Sequence, residues 1–277
     1  ISPPLTDPLR DFGDLPDIYG TTLAANGARH LLVAGGAYLG SRVDAEIDGQ
    51  PTAAADGDDL NGADEEGVAF LTPLMPGFPA LMQVTAGTAG YLSAFVDWNG
   101  SGALSPLSVK DGGGSATLSD TFLEAGTHLF WVDVPADAEE TVYTRFRFTN
   151  QSGQGGASPL GQASTGEVED YALTTTLPAA LGDFVWVEIG PLDGLQSDME
   201  RDSAGLPGVT VHLLDGAGNP VLDWIGQPIT TVTDASGHYL FEGLEPSGSP
   251  ASSPWPLETC TWTSTPACTM WRPRRWS

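Results

Sequence analysis

Cysteine is almost absent from this 277-residue chain: Cys260 and Cys268 are its two, both in the last stretch, so the segments before them must hold together without disulfides. Lysine is scarcer still, with Lys110 alone, and Lys plus Arg number 10 against 36 Asp plus Glu, a formal net charge of -26. Such a balance repels phosphate backbones and anionic headgroups. It excludes nucleic acid and anionic membranes as partners and makes cations the natural ones. No apolar run approaches the roughly 18 residues of a membrane span, so no membrane insertion is expected in this segment.

Enzyme signatures are missing as well. There is no Gly-x-Ser-x-Gly, no His-Glu-x-x-His, no phosphate loop and no Cys nucleophile before residue 260. The four histidines, His30, His128, His212 and His238, are scattered, and ordinary packed or surface roles suit them better than catalysis. The chain is therefore expected not to be an enzyme. A paired-carboxylate glycosidase stays open as an alternative, because the spacing of acids in sequence says nothing about their distance in space. The opening Ile1-Ser2-Pro3-Pro4 has neither Met nor a leader pattern, which gives the expectation of a fragment of a longer protein.

What is present points to an all-β fold. Gly (35) and Pro (22) are abundant, and β-branched and aromatic residues come in short runs between turn dipeptides. Residues 91 to 98 and 142 to 148 alternate apolar with polar and are expected to be half-buried strands, while Thr127 to Val134 is apolar on both sides, as a central strand would be. Arg145 and Arg147 share one strand face and are expected to be exposed, with ion pairs of little consequence. A linker at 176 to 181 separates two β-sandwich domains, 1–178 and 179–248, the second immunoglobulin-like with strands at 184–187, 209–214, 229–233 and 238–244. From 249 to 277 the strand period disappears, while four of the eight Trp crowd in. This tail is expected to be irregular and foreign to the fold, a reading-frame artefact that leaves the second domain without its closing strands.

The acidic residues gather in loops rich in oxygen ligands, and hard cations such as calcium take several carboxylate and carbonyl oxygens at once. The candidates are Asp11 and Asp14 near the start, Asp44, Asp56 and Asp58 in two acidic runs, and Glu167, Glu169 and Asp170 in Gly166-Glu167-Val168-Glu169-Asp170-Tyr171. Asp97-Trp98-Asn99-Gly100-Ser101-Gly102 has oxygens at positions 1, 3 and 5 and Gly at 6, although an Asn-Gly turn accounts for the same residues. Asp193 and Asp198 form a further cluster, whereas Asp215 and Asp234 read as turn residues. In a continuous strand Glu167 and Glu169 would share the face of Tyr171 and Leu173 and be buried. The strand is therefore expected to start at Tyr171, with the acids in a loop that closes against Asp11 and Asp14 as a cation clamp.

Several motifs carry a resemblance: Asp11-Phe12-Gly13-Asp14, Asn26-Gly27-Ala28-Arg29-His30, Asp64-Glu65-Glu66-Gly67-Val68, Asp97-Trp98-Asn99-Gly100, Arg145-Phe146-Arg147-Phe148 and Gly166 to Tyr171. Together they resemble the bacterial GEVED domain, found in secreted or surface-displayed multidomain proteins. Leu181-Gly182-Asp183-Phe184-Val185-Trp186, Gly205 to Val211 and Thr233 to Phe241 resemble the B-type domain of serine-aspartate repeat surface adhesins. The resemblance implies a calcium-stabilised, immunoglobulin-like stalk module. The expected whole is a non-catalytic, extracellular or cell-surface adhesion module. Its partners would be calcium ions, neighbouring modules of a longer chain, and a surface protein or glycan of unknown identity. The alternative is a carbohydrate-binding or glycan-hydrolysing module using Trp98 or Tyr91, of which strand parity lets at most one face outward.

Overall fold

The computed structural model describes residues 9–57, 67–111, 114–154, 156–187, 205–223 and 226–245. Among them there is no α-helix, only a single-turn 3-10 helix at Asp17–Tyr19, and the fold is all-β. The chain divides into two compact units between Leu177 and Pro178.

The first unit contains, in chain order, β1 (Arg10–Phe12), β2 (Arg29–Leu31), β3 (Val68–Phe70), β4 (Pro79–Ala86), β5 (Gly90–Asp97), β6 (Ser105–Pro106), β7 (Ser108–Asp111), β8 (Gly114–Thr117), β9 (Thr121–Leu123), β10 (Gly126–Asp133), β11 (Thr141–Thr149) and β12 (Gln162–Thr174). Seven strands form one sheet, ordered β1-β2-β12-β11-β5-β6 with β9 also on β5, and five form the other, β3-β4-β10-β7-β8. The pleat sends alternate residues to opposite faces. Met82, Val84 and Ala86 of β4 thus face inward to meet Leu92, Ala94 and Val96 of β5 and Phe146 and Phe148 of β11 in the core of a β-sandwich, while Ala80 joins Leu74 and Val134 in a smaller cluster.

The seven-stranded sheet departs from the expected half-buried pattern, because both of its faces are covered. Ser93, Phe95 and Asp97 of β5 and Arg145, Arg147 and Thr149 of β11 point away from the inter-sheet core and are nevertheless buried. Polar residues alternating with apolar ones give the same signature whether the polar face meets water or a well-bonded polar layer. The other sheet departs in the opposite sense. β10 lies between β4 and β7, yet Leu129 is 58% exposed and Trp131 is only half-buried, so this apolar strand has one face open.

The second unit has β13 (Ala179–Phe184) paired with β16 (His238–Leu244), and β14 (Thr210–His212) paired with β15 (Thr230–Val232). Val211 from one pair and Phe241 and Leu244 from the other share a core with Val185, Leu213 and Val221. The first strand starts at Ala179, inside the stretch expected to be linker, and ends at Phe184 rather than Val187, because it follows the register of β16 from Leu244 down to His238. The expected tail at 249–277 lies outside the described residues.

Candidate functional site

The acidic motif lies on β12, which runs unbroken from Gln162 to Thr174 and pairs with β11 from Gly166 to Thr174. The expected strand start at Tyr171 is therefore corrected: Glu167, Glu169 and Asp170 are strand residues and all three are buried. Glu167 and Glu169 do share the parity of Tyr171, and burial does not keep their carboxylates out of the strand. They are tolerated here because each finds hydrogen-bond donors.

Those donors are mainly backbone amides of remote segments. Glu167 Oε1 accepts from the Leu39 N–H, and Glu169 Oε1 accepts from the Gly67 N–H at 3.0 Å. Glu169 Oε2 takes the Tyr171 hydroxyl at 2.8 Å, and that hydroxyl in turn accepts the Val68 N–H at 3.1 Å. On the opposite face Asp170 Oδ2 accepts the N–H groups of Asp14 and Leu15 at 2.8 and 3.0 Å. The arrangement is reciprocal, for Asp11 Oδ2 accepts the Val168 N–H at 2.5 Å and Asp14 Oδ2 the Gly57 N–H at 2.6 Å. The ends of the clamp do converge, but the carboxylates are engaged by amides. Bonds to ionised acceptors are the stronger class, roughly 1.5–3 kcal/mol each.

Three glycines make the close approach possible. A Cβ at Gly13 would collide with the Asp170 carboxylate, one at Gly67 would lie 2.6 Å from Glu169 Oε1, and one at Gly166 would run into the Phe148 carbonyl.

Beneath the Asp170 face lie the two arginines expected to be exposed. Both are fully buried. Arg145 forks onto Asp170 through Nε–Oδ1 at 2.8 Å and Nη2–Oδ2 at 2.7 Å. Its Nη1 donates to the carbonyls of Tyr19, Gly20 and Pro159, and its Nη2 also to the Thr21 hydroxyl. Arg147 donates to the carbonyls of Ser158, Leu160, Arg29 and Gly161 and, through Nε, to His30 Nε2 at 3.1 Å. Burial, reinforced by the charge of Arg145, pulls Arg147 down to about 9. Burial and Arg147 hold His30 well below the usual imidazole range. The two guanidinium groups fasten the 19–21, 29 and 158–161 segments over the sheet, a role that sequence reasoning missed. The signal available was two cations on one face in a chain with so few.

Of the remaining candidates, Asp97 closes its own loop. Oδ1 accepts from the N–H of Asn99 and Ser101, and Oδ2 from the N–H of Gly102 at 2.7 Å and the Tyr19 hydroxyl at 2.9 Å. Burial pushes Asp97 up, but these donors outweigh it and hold the carboxyl below its usual range; the same contact and burial push the Tyr19 phenol up. Asn99 is exposed and its Oδ1 accepts the Ser101 N–H. Asp56 is exposed and bonds Thr52, and Asp44 is half-buried in a separate loop. Asp58, Asp193 and Asp198 lie outside the described residues. Among the described residues no three His, Cys, Asp or Glu side chains are grouped so as to hold a metal ion. Trp98 packs against the core, and Tyr91 lies against Phe122 with ring centroids 5.3 Å apart.

In the second unit one turn occurs three times, at Asp215–Asn219, Asp223–Gln227 and Asp234–His238. In each the Asp N–H donates to the carbonyl four residues on, the Gly at the fourth position donates back to the Asp carbonyl, and Asp Oδ1 accepts the fifth residue's N–H. The fourth residue is always Gly with positive φ, 85, 81 and 87°. The N–H of His238 and Ser236 hold Asp234 below the usual carboxylate range, and Asn219 does so for Asp215.

Comparison with known proteins divides the chain in the same order. Residues 91–174 match the GEVED domain and residues 179–250 the SdrD B-like domain. The first match begins at β5, so the segments that supply amides to β12 lie before it. A serine-aspartate repeat-containing protein F of Staphylococcus epidermidis strain ATCC 12228 is 51% identical over 65 residues, 24% of this chain, and a second from the same species matches equally. The alignment spans 3% of the length of these relatives. The crystal structure of BcpA, the major pilin subunit of Bacillus cereus, overlaps 62% of this chain and 52% of its own at 13% identity and a TM-score of 0.24, a likeness that carries no argument.

Proposed function

We propose that this chain is a non-catalytic part of a modular bacterial surface protein, an adhesin-type assembly in which both units serve as folded spacer or adhesion modules outside the cell. The observation that carries the reading is the succession of a GEVED match and an SdrD B-like match, the latter supported by 51% identity over 65 residues to a staphylococcal serine-aspartate repeat-containing protein. The chemistry of the first unit agrees. Its buried acids and arginines bond the unit's own backbone, which is what a brace requires. The neighbours in the parent chain are further modules, and the outward partner is a surface protein or glycan.

Calcium belongs to the same proposal, in the second unit. The B-type resemblance implies it, and Asp193, Asp198, Glu200 and Asp202 concentrate carboxylates in one stretch of that unit. In the first unit the β12 carboxylates already have amide donors, so calcium has little to add. Calorimetry of the whole chain with calcium and then with chelator tests this. Saturating calcium at about 100 times its Kd adds about 2.7 kcal/mol to the state that binds it. The expected result is an upward shift of the second unit's transition alone. Identical traces overturn the calcium proposal, and a shift of the first unit alone overturns its placement. Incubation with a glycan panel is expected to release no sugar; a hydrolysis product would overturn the non-catalytic reading.

A further inference from the structure

We propose that His30 is an acid-sensitive latch that holds the N-terminal strands and the 158–161 segment onto the first unit at neutral pH and releases them on acidification. His30 is the middle residue of β2, fully buried between β1 and β12. Its Nε2 faces Arg147 Nε at 3.1 Å. A guanidinium donates and never accepts, so Nε2 must offer its lone pair and the proton of the neutral ring sits on Nδ1. Nδ1 has no hydrogen-bond partner and packs on Gly166, where a Cβ would lie 2.7 Å away.

A second proton can enter only at Nε2. It would remove the acceptor of Arg147 and bring two cations to hydrogen-bond distance inside the protein. Of the charges around the ring, that of Arg147 bears on it and opposes the proton. Arg147 and Arg145 come from β11, Arg29 precedes His30 on β2, and Asp11 is its register partner on β1. Asp11 already accepts the Val168 N–H, and from β12 Asp170 is forked by Arg145 while Glu167 bonds the Leu39 N–H. Arg147 is also the group that ties down the carbonyls of Arg29, Ser158, Leu160 and Gly161, so disturbing it loosens the strand and the segment together.

The sign follows from the direction of the shift. A histidine whose folded pKa lies below 6.5 leaves the unfolded chain with more bound protons once the pH drops under that value. The stabilising contribution is complete above 6.5 and is lost on acidification, by up to about tenfold in the folding constant per pH unit. Asp17 and Asp97, both held below the carboxylate value of 3.8, lose their contributions only in more acid solution.

The test is limited proteolysis and urea unfolding of the full chain between pH 7.5 and 4.5, for the natural sequence and for His30→Gln, whose amide oxygen can accept from Arg147 but takes no proton. The natural chain is expected to lose its first unit's protection steeply below pH 6.5, with cuts in 9–31 and 150–161, and the variant to lose this component while keeping the more acid one. Parallel profiles would overturn the latch. Should the variant fail to fold, ring NMR of the natural chain decides: a His30 signal that titrates near 6.5 in the folded protein sinks the proposal, and one that stays neutral until the unit opens supports it.

Discussion

Asp170 serves two masters in the first unit: it neutralises Arg145 and it receives the amides of Asp14 and Leu15. Asp170→Asn leaves a guanidinium buried without an anion, a change that costs about 3–5 kcal/mol. Glu167→Gln, which loses the charge that accepts the Leu39 N–H, is expected to cost about 1–3 kcal/mol. Urea midpoints of the first unit give the order; equal costs would mean that the ion pair carries no special share. The double variant Arg145→Met with Asp170→Leu should recover only part of the loss. It removes the unpaired charge yet still leaves the two amides without an acceptor. At this scale the sequence showed the actors and hid their bonds. Alternation told which face Glu167 and Glu169 occupy, but their donors are main-chain N–H groups, which every residue carries and no pattern marks. Gly13, Gly67 and Gly166 were the visible trace, since each is needed where a side chain would block the approach.

Elements were more legible where local chemistry decides them. The repeated Asp-x-x-Gly turns of the second unit could be read from Asp215 and Asp234, because the side chain bonds backbone within its own turn and the Gly supplies the left-handed position. These turns also offer a matched pair of variants. Gly218 has φ near 85° with open space around it, so Gly218→Ala should cost about 1–2 kcal/mol from backbone strain alone. Gly237, at 87°, would in addition place a Cβ 2.6 Å from the Gly205 Cα and 2.7 Å from the Val185 carbonyl, and Gly237→Ala should cost clearly more. Calorimetric midpoints of the second unit check the order, and an equal cost would show that the Gly205 segment yields freely. The strand β10 was less legible. Its apolar run matches a strand covered on both sides, and only its neighbours in space determine that Leu129 stays open.

For the molecule as a whole, composition announced the all-β class, because Gly- and Pro-rich turns between short alternating runs leave few other folds. It could not announce how the first unit closes. The bonds that β12 makes to Leu39, Gly67, Asp14, Leu15 and Asp11 join residues 128, 102, 156, 155 and 157 positions apart. Contacts so remote slow folding, because the intervening chain must be ordered before they form. They also fix a timetable. As the chain leaves a ribosome or crosses a membrane N-terminus first, the amides of its opening segments wait for acceptors that come last. Nascent chains halted with residues through Leu160 exposed should be digested by protease, and chains exposed through Leu177 should resist; early resistance would refute the timetable. The strand that closes the unit thus also keeps it threadable until nearly all of it has passed.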